Sequence, residues 1–182
     1  VGVGNFLPCL IEKYRDVPQV TIDICDIDAV SVAVVCKLLT LLDVPSNIRI
    51  NYMVADSLLY DFPCHYDIVV GNPPYKKLAG KQTLLRQYKE KAENKETNNL
   101  FSFFIEMALR CADVAALIVP KSLISAPEFN ETRRIMEKYK IDRIVDFGEK
   151  AFRGVKIETV AFVVNTKANP ENTKVESYIT SQ

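Results

Sequence analysis

Short runs rich in β-branched residues alternate along the chain with longer stretches whose apolar residues recur at helical spacing. Residues 20–25, 47–54, 66–70, 114–119, 141–147 and 159–164 read as strands, bounded by Pro, Gly, Asn or Asp. Residues 29–42 are too long an apolar run for a strand and read as a helix despite their valines. Residues 100–111 read as a helix with an apolar face. Residues 127–139 read as another, with Pro127 in the first turn, where its missing N–H costs nothing. Alternation of strand and helix predicts an α/β fold with a mostly parallel sheet and helices on both faces. The last two strands have only a short link between them. They are predicted to pair antiparallel, as a hairpin at the sheet edge.

With 182 residues, 48% of them hydrophobic and 25% charged, the chain has the composition of one globular domain, taken as 1–182. Whole-chain disorder is excluded, because so much apolar surface can be buried. Lys plus Arg and Asp plus Glu both number 23, which excludes holding nucleic acid by bulk charge alone. Local patches would have to supply the grip. The clearest patch is the polar stretch 76–96, whose seven basic side chains (Lys76 and Lys77 the first) face three acidic ones. It reads as a long connection, solvated or functional. The five cysteines, Cys9, Cys25, Cys36, Cys64 and Cys111, are odd in number and lack metal-ligand spacing. They read as reduced and structural, which suggests a cytoplasmic protein. With His65 the one histidine, no metal site is expected, and no apolar run is long enough to span a bilayer.

Gly2 and Gly4 precede a helical stretch that runs through Tyr14. Glycines so spaced make a tight turn that lets a ligand approach the backbone. Asp26 ends the next strand 22 residues after Gly4, where α/β folds bind a ribose hydroxyl pair. Asp28, two residues on, suits a helix N-cap better. Asp56 follows the strand 47–54 and could accept a hydrogen bond from an exocyclic amine. Plainer readings remain beside these: a glycine loop with no ligand, and a turn aspartate.

Strand 66–70 leads into Gly71-Asn72-Pro73-Pro74-Tyr75. Two prolines fix φ and remove two backbone donors. What remains is a pair of acceptors, the Asn72 side-chain oxygen and the Pro73 carbonyl, matched to the two hydrogens of a planar –NH2 group. Tyr75 offers a flat face to a heteroaromatic ring, a contact worth roughly 1–3 kcal/mol per base. Alternatively it caps the core.

In this order, Gly-x-Gly, an acidic strand end, Asp after the third strand and Asn-Pro-Pro-Tyr, the chain resembles the N6-adenine DNA methyltransferases of restriction–modification systems. Asn99-Leu100-Phe101 with Phe104-Ile105-Glu106, Ile118 to Leu123, and Ala151-Phe152-Arg153-Gly154-Val155 extend the likeness to about Val164. The resemblance implies a Rossmann-like class I methyltransferase fold with S-adenosylmethionine as cofactor. It implies that Gly2, Gly4, Asp26, Ile27 and Asp56 hold the cofactor, and that Asn72, Pro73, Pro74 and Tyr75 form the catalytic turn. Tyr75 and Phe152 would contact a flipped-out adenine, and Lys76 and Lys77 the phosphate backbone. Double-stranded DNA is the implied partner, with a restriction or specificity domain or subunit as companion and no membrane. The family's first strand and its acidic residue would precede Val1, and a target-recognition domain would follow Gln182. Alternatives stay open: the same turn acting on RNA or on a protein glutamine amide, a nicotinamide-dependent dehydrogenase, or a non-catalytic fragment.

Overall fold

The computed structural model describes residues 2, 4–149 and 156–178. The chain divides into two compact units, Val1–Asp61 and Phe62–Gln182.

In the first unit α1 (Leu7–Lys13) is followed by β1 (Val20–Asp26), α2 (Ala29–Leu39) and β2 (Ile48–Val54). The two strands pair in parallel, from Val20 opposite Ile48 to Asp26 opposite Val54. Both therefore end on the same edge. The valine-rich run 29–42 is helical as expected, but the helix stops at Leu39. Thr40 turns its hydroxyl back onto the Lys37 carbonyl, the local competition with the helix ladder that hydroxyl side chains offer. Leu7, Ile11, Ile24, Val35, Leu39 and Ile48 make the core of this unit.

The second unit holds β3 (Tyr66–Gly71), α3 (Gln82–Lys91), α4 (Leu100–Cys111), β4 (Ala112–Pro120) and the short α5 (Ser122–Ser125). A 3-10 turn (Pro127–Phe129), α6 (Asn130–Met136), β5 (Lys140–Gly148), β6 (Thr159–Asn165) and β7 (Lys174–Ser177) complete it. The sheet order is β3-β4-β6-β5-β7. β3 and β4 are parallel, and β5 and β6 pair antiparallel as the short link predicts. The hairpin is not the sheet edge, however. β6 inserts between β4 and β5, antiparallel to both, and β7 lies parallel outside β5. The physical reason is apolar content on both sides of β6: Val160, Phe162 and Val164 are buried on one face while Ala161 and Val163 are half-buried on the other. A strand so sheltered belongs inside a sheet.

The core of this unit sets α4 against the sheet. Phe101, Ile105 and Ala108 recur at helical spacing and meet Leu117, Val119, Val160 and Phe162. Segment 127–139 is two pieces, not one helix, because Phe129 at φ −107°, ψ 10° interrupts the helical backbone. The polar stretch 76–96 is no structureless connection. It contains α3, whose Tyr88 is buried with its ring 5.7 Å from that of Phe103 on α4.

Candidate active site

In the first unit the carboxyl ends of β1 and β2 carry the acidic residues that the sequence singles out. Gly2 donates its N–H to Asp26 Oδ2 at 2.9 Å, and Asp28 donates its N–H to Asp26 Oδ1 at 2.9 Å. Residues 24 apart in sequence thus meet at the strand end. Burial raises the Asp26 carboxyl, yet hydrogen bonds, those from Asp28 and Gly2 among them, bring it net below its ordinary value. It stays ionised at neutral pH. Asp28 caps α2, accepting from the N–H groups of Val30 and Ser31 at 3.1 Å and from the Ser31 hydroxyl. Ile27 between them is exposed. Asp56, two residues past the end of β2, is half-buried and receives the Leu58 N–H at 3.0 Å on Oδ1.

Gly4 has a packing role that the sequence does not show. It is buried at φ 77°, and a Cβ there would lie 3.0 Å from Leu7 Cδ1 and 3.1 Å from Val35 Cγ2. Its missing side chain makes room for α1 against α2. Gly2, at φ 54°, has nothing within 4 Å of the same position and is the open glycine of the pair. An exposed apolar side chain, an ionised carboxylate at one strand end and a second acidic side chain at the next strand end share one edge. Such a set fits a ligand with vicinal hydroxyls and a flat amine-bearing ring.

In the second unit β3 delivers the Asn-Pro-Pro-Tyr turn at its carboxyl end. Asn72 is exposed, Pro73 buried, Pro74 exposed and Tyr75 half-buried. The Tyr75 hydroxyl donates to Asn72 Oδ1 at 2.7 Å and lies 3.2 Å from the Ile118 carbonyl of β4. Its ring stands edge-on to Phe101 at 6.4 Å, and Phe101 lies 4.9 Å from the Phe129 ring in the core. Burial pushes the Tyr75 phenol up to about 12, so it keeps its hydrogen at neutral pH. Core-capping and a role in the turn are therefore both served by this one side chain.

The segment behind the turn is pinned at several points. Leu78 donates to the Asn98 carbonyl and Leu100 to the Lys76 carbonyl, each at 2.9 Å. Glu106 on α4 is buried and receives the N–H groups of Glu93, at 2.6 Å, and Asn94. Asn94, also buried, bonds Thr132 through its amide and accepts the N–H groups of Glu96 and Thr97. Of the expected phosphate contacts, Lys77 pairs with Glu128 at 2.7 Å, while Lys76 is exposed. Phe152 lies outside the described residues. All five cysteines are free, but Cys9 and Cys64 are exposed and so do not serve as core residues. Among the described residues no helix is long and apolar enough to cross a membrane.

Sequence reasoning missed the Asn94–Glu106 anchor. The signal available for it was a Glu in the middle of an apolar helix, at a position that only a partner would let it hold.

The model of the Eco57I restriction-modification methylase family matches residues 48–152. No curated protein matches the chain. Solved structures do. A Listeria monocytogenes protein assigned to the class I S-adenosylmethionine-dependent methyltransferases has a TM-score of 0.77 at 14% identity, over 97% of this chain and 55% of its own. A Vibrio vulnificus protein assigned as the modification subunit of a type I restriction enzyme has a TM-score of 0.77 at 15% identity, over 100% of this chain and 42% of its own. The type IIG restriction endonuclease BpuSI has a TM-score of 0.72 at 21% identity, over 87% of this chain and 21% of its own. The chain thus spans about half or less of the length of these structures. At such identities the likeness is one of fold, and that fold is the α/β class I methyltransferase fold. With the family model matched over more than half of its length, the chain belongs to the Eco57I restriction-modification methylases.

Proposed function

We propose that the protein transfers a methyl group from S-adenosylmethionine to N6 of adenine in double-stranded DNA, as the modification activity of a restriction–modification system. The observation that carries this reading is the turn itself. A strand ends in Asn72-Pro73-Pro74-Tyr75 with the Asn72 side chain exposed and its carboxamide oxygen held by a phenol rooted in the core. Membership of the methylase family supports it.

The cofactor, when bound, supplies an electrophilic methyl on a sulfonium. The remaining work is alignment and electrostatics. Asp26 accepts from the ribose hydroxyls, Asp56 from the cofactor's exocyclic amine, Ile27 covers its ring, and the Gly2–Gly4 turn passes its methionine end. The N6 lone pair of adenine is delocalised into the ring, so the amine is a poor nucleophile. Asn72 Oδ1 and the Pro73 carbonyl accept hydrogen bonds from its two N–H groups, which favours the tetrahedral nitrogen that the transition state requires; as the N–CH3 bond replaces the S–CH3 bond, one of those hydrogens leaves as a proton to solvent. The target base leaves the duplex to reach the turn, and Tyr75 and Phe152 flank it. Lys76 faces the phosphate backbone, and Lys77 does so where it can exchange Glu128 for phosphate. A specificity or restriction subunit or domain supplies the recognition sequence.

The test uses the full-length protein with S-adenosylmethionine and unmethylated DNA, followed by digestion to nucleosides and mass spectrometry. N6-methyladenine is expected with the wild type. With Asn72→Ala, turnover should fall at least about 100-fold while calorimetry shows S-adenosylmethionine still bound. Wild-type turnover in the variant would refute the assignment of the turn. Absence of product with cofactor binding intact would direct the same chemistry to RNA or to a protein amide.

A further inference from the structure

The proposed reaction uses the Tyr75 ring and leaves its hydroxyl without a task. That hydroxyl has one hydrogen and two oxygen acceptors, Asn72 Oδ1 at 2.7 Å and the Ile118 carbonyl at 3.2 Å. Gly71, the last residue of β3, pairs with Leu117, so Ile118 stands level with Asn72 across the ladder. The phenol is neutral at working pH, because burial lifts it to about 12.

A carboxamide oxygen has two lone pairs, and its amide nitrogen has two hydrogens. The terminal torsion of Asn is broad and roughly two-fold. An exposed Asn72 free to turn would present –NH2 as readily as C=O. Facing an amine substrate, the turned form would set donor against donor. Donation from Tyr75 takes one lone pair of Oδ1 and leaves the other outward, whereas the turned form would give up the 2.7 Å bond and send the phenol hydrogen to the Ile118 carbonyl at 3.2 Å, the longer of its two contacts.

The geometry points to the Tyr75 hydroxyl as a positioning group that holds the Asn72 carboxamide oxygen-first toward the methyl-accepting amine, with the Ile118 carbonyl as its back-stop. This rests on the reading that Asn72 accepts from a planar amine. It adds a function for the hydroxyl separate from stacking. Phenylalanine in its place keeps the ring, the edge contact with Phe101 and the stacking face, and loses only the orienting bond.

The experiment compares full-length wild type, Tyr75→Phe and Asn72→Ala on unmethylated DNA, reading kcat, KM for DNA and thermal unfolding. One net hydrogen bond lost from the transition state and not from binding should lower kcat of Tyr75→Phe roughly three- to tenfold. KM for DNA should stay within about twofold, with melting unchanged. Unchanged kcat in Tyr75→Phe would overturn the inference while leaving the role of Asn72 intact. Parallel changes in KM or melting would also overturn it, since the hydroxyl would then serve binding or stability. If Asn72→Ala retained wild-type turnover, the proposed reading of the turn would fail separately, whatever Tyr75→Phe did.

Discussion

In the first unit Asp26 is held by the backbone of its sequence neighbours and of a glycine loop: Gly2 and Asp28 each aim an N–H at one of its oxygens. In the second unit Asn72 is held by a side chain, and that side chain leans on Phe101 and through it on Phe129. The first arrangement needs only a strand end and a tight loop, so Asp26 and Gly2 can change without disturbing apolar packing, whereas Gly4 in the same loop cannot. The second ties the atom proposed to face the substrate amine to the core, so the proposed chemistry and the packing there share a side chain. The difference predicts where substitutions will separate function from folding.

The sharpest way to break the comparison lies in two aspartates of the first unit. Asp26 faces the proposed ribose site, whereas Asp28 spends its oxygens on the first turn of α2. Removing hydrogen bonds to a charged acceptor should weaken S-adenosylmethionine binding about 10- to 100-fold in Asp26→Ala. Asp28→Ala should lower the melting temperature through the lost cap and leave affinity near wild type. Calorimetric titration of the two variants separates these outcomes. Equal losses of affinity would mean that the loop, not the carboxylate, carries the binding.

The two glycines sharpen the point within the same loop. Both have positive φ, at 54° and 77°. Only Gly4 also has side chains in the way, Leu7 at 3.0 Å and Val35 at 3.1 Å. Gly4→Ala should therefore destabilise by about 1–3 kcal/mol, and Gly2→Ala by less. Chemical denaturation measures both. A larger loss at Gly2 would show that the packing role assigned to Gly4 is misplaced.

Much of this was legible before any coordinates. Strands such as 20–25 and 66–70 carry β-branched runs with firm stops, and 100–111 has an apolar face too regular to miss. The Asn-Pro-Pro-Tyr turn was legible because two prolines and an asparagine after a β-branched strand restrict the backbone on their own. The place of Asp26 at the strand end after a glycine loop was legible from spacing, but the bond it receives from Gly2 was not. Other features depend on partners that the pattern does not name. α3 is polar almost throughout and is anchored mainly through Tyr88, so its apolar face, Leu84, Leu85 and Tyr88, is narrow. β7 is four residues, Lys174–Ser177, with one apolar side chain, and forms because β5 offers it an edge. The place of β6 inside the sheet is a matter of strand order, which periodicity alone does not carry. The bond between the Tyr75 hydroxyl and Asn72 is a tertiary fact, set by where β4 puts Ile118.

The smallest effect concerns the polar segment behind the turn, where the second unit uses the device of the first: a carboxylate that gathers backbone N–H groups. Glu106 receives those of Glu93 and Asn94 as Asp26 receives those of Gly2 and Asp28. The outcomes are opposite. Burial lifts the Glu106 carboxyl above its ordinary 4.5, assisted by the nearby Glu93 charge and opposed by the two backbone donors and by Arg110. The folded state thus holds this proton more tightly than the unfolded chain does. The stability Glu106 contributes is fully present below about 4.5 and is lost as pH rises through the raised folded value. Glu106→Gln cannot titrate. The difference in unfolding free energy between wild type and variant, measured by denaturant from about pH 4 to 7, should therefore shift against the wild type as pH rises and then level off. A difference independent of pH would mean that Glu106 is as well served by its partners as Asp26, and the contrast between the two carboxylates would fall.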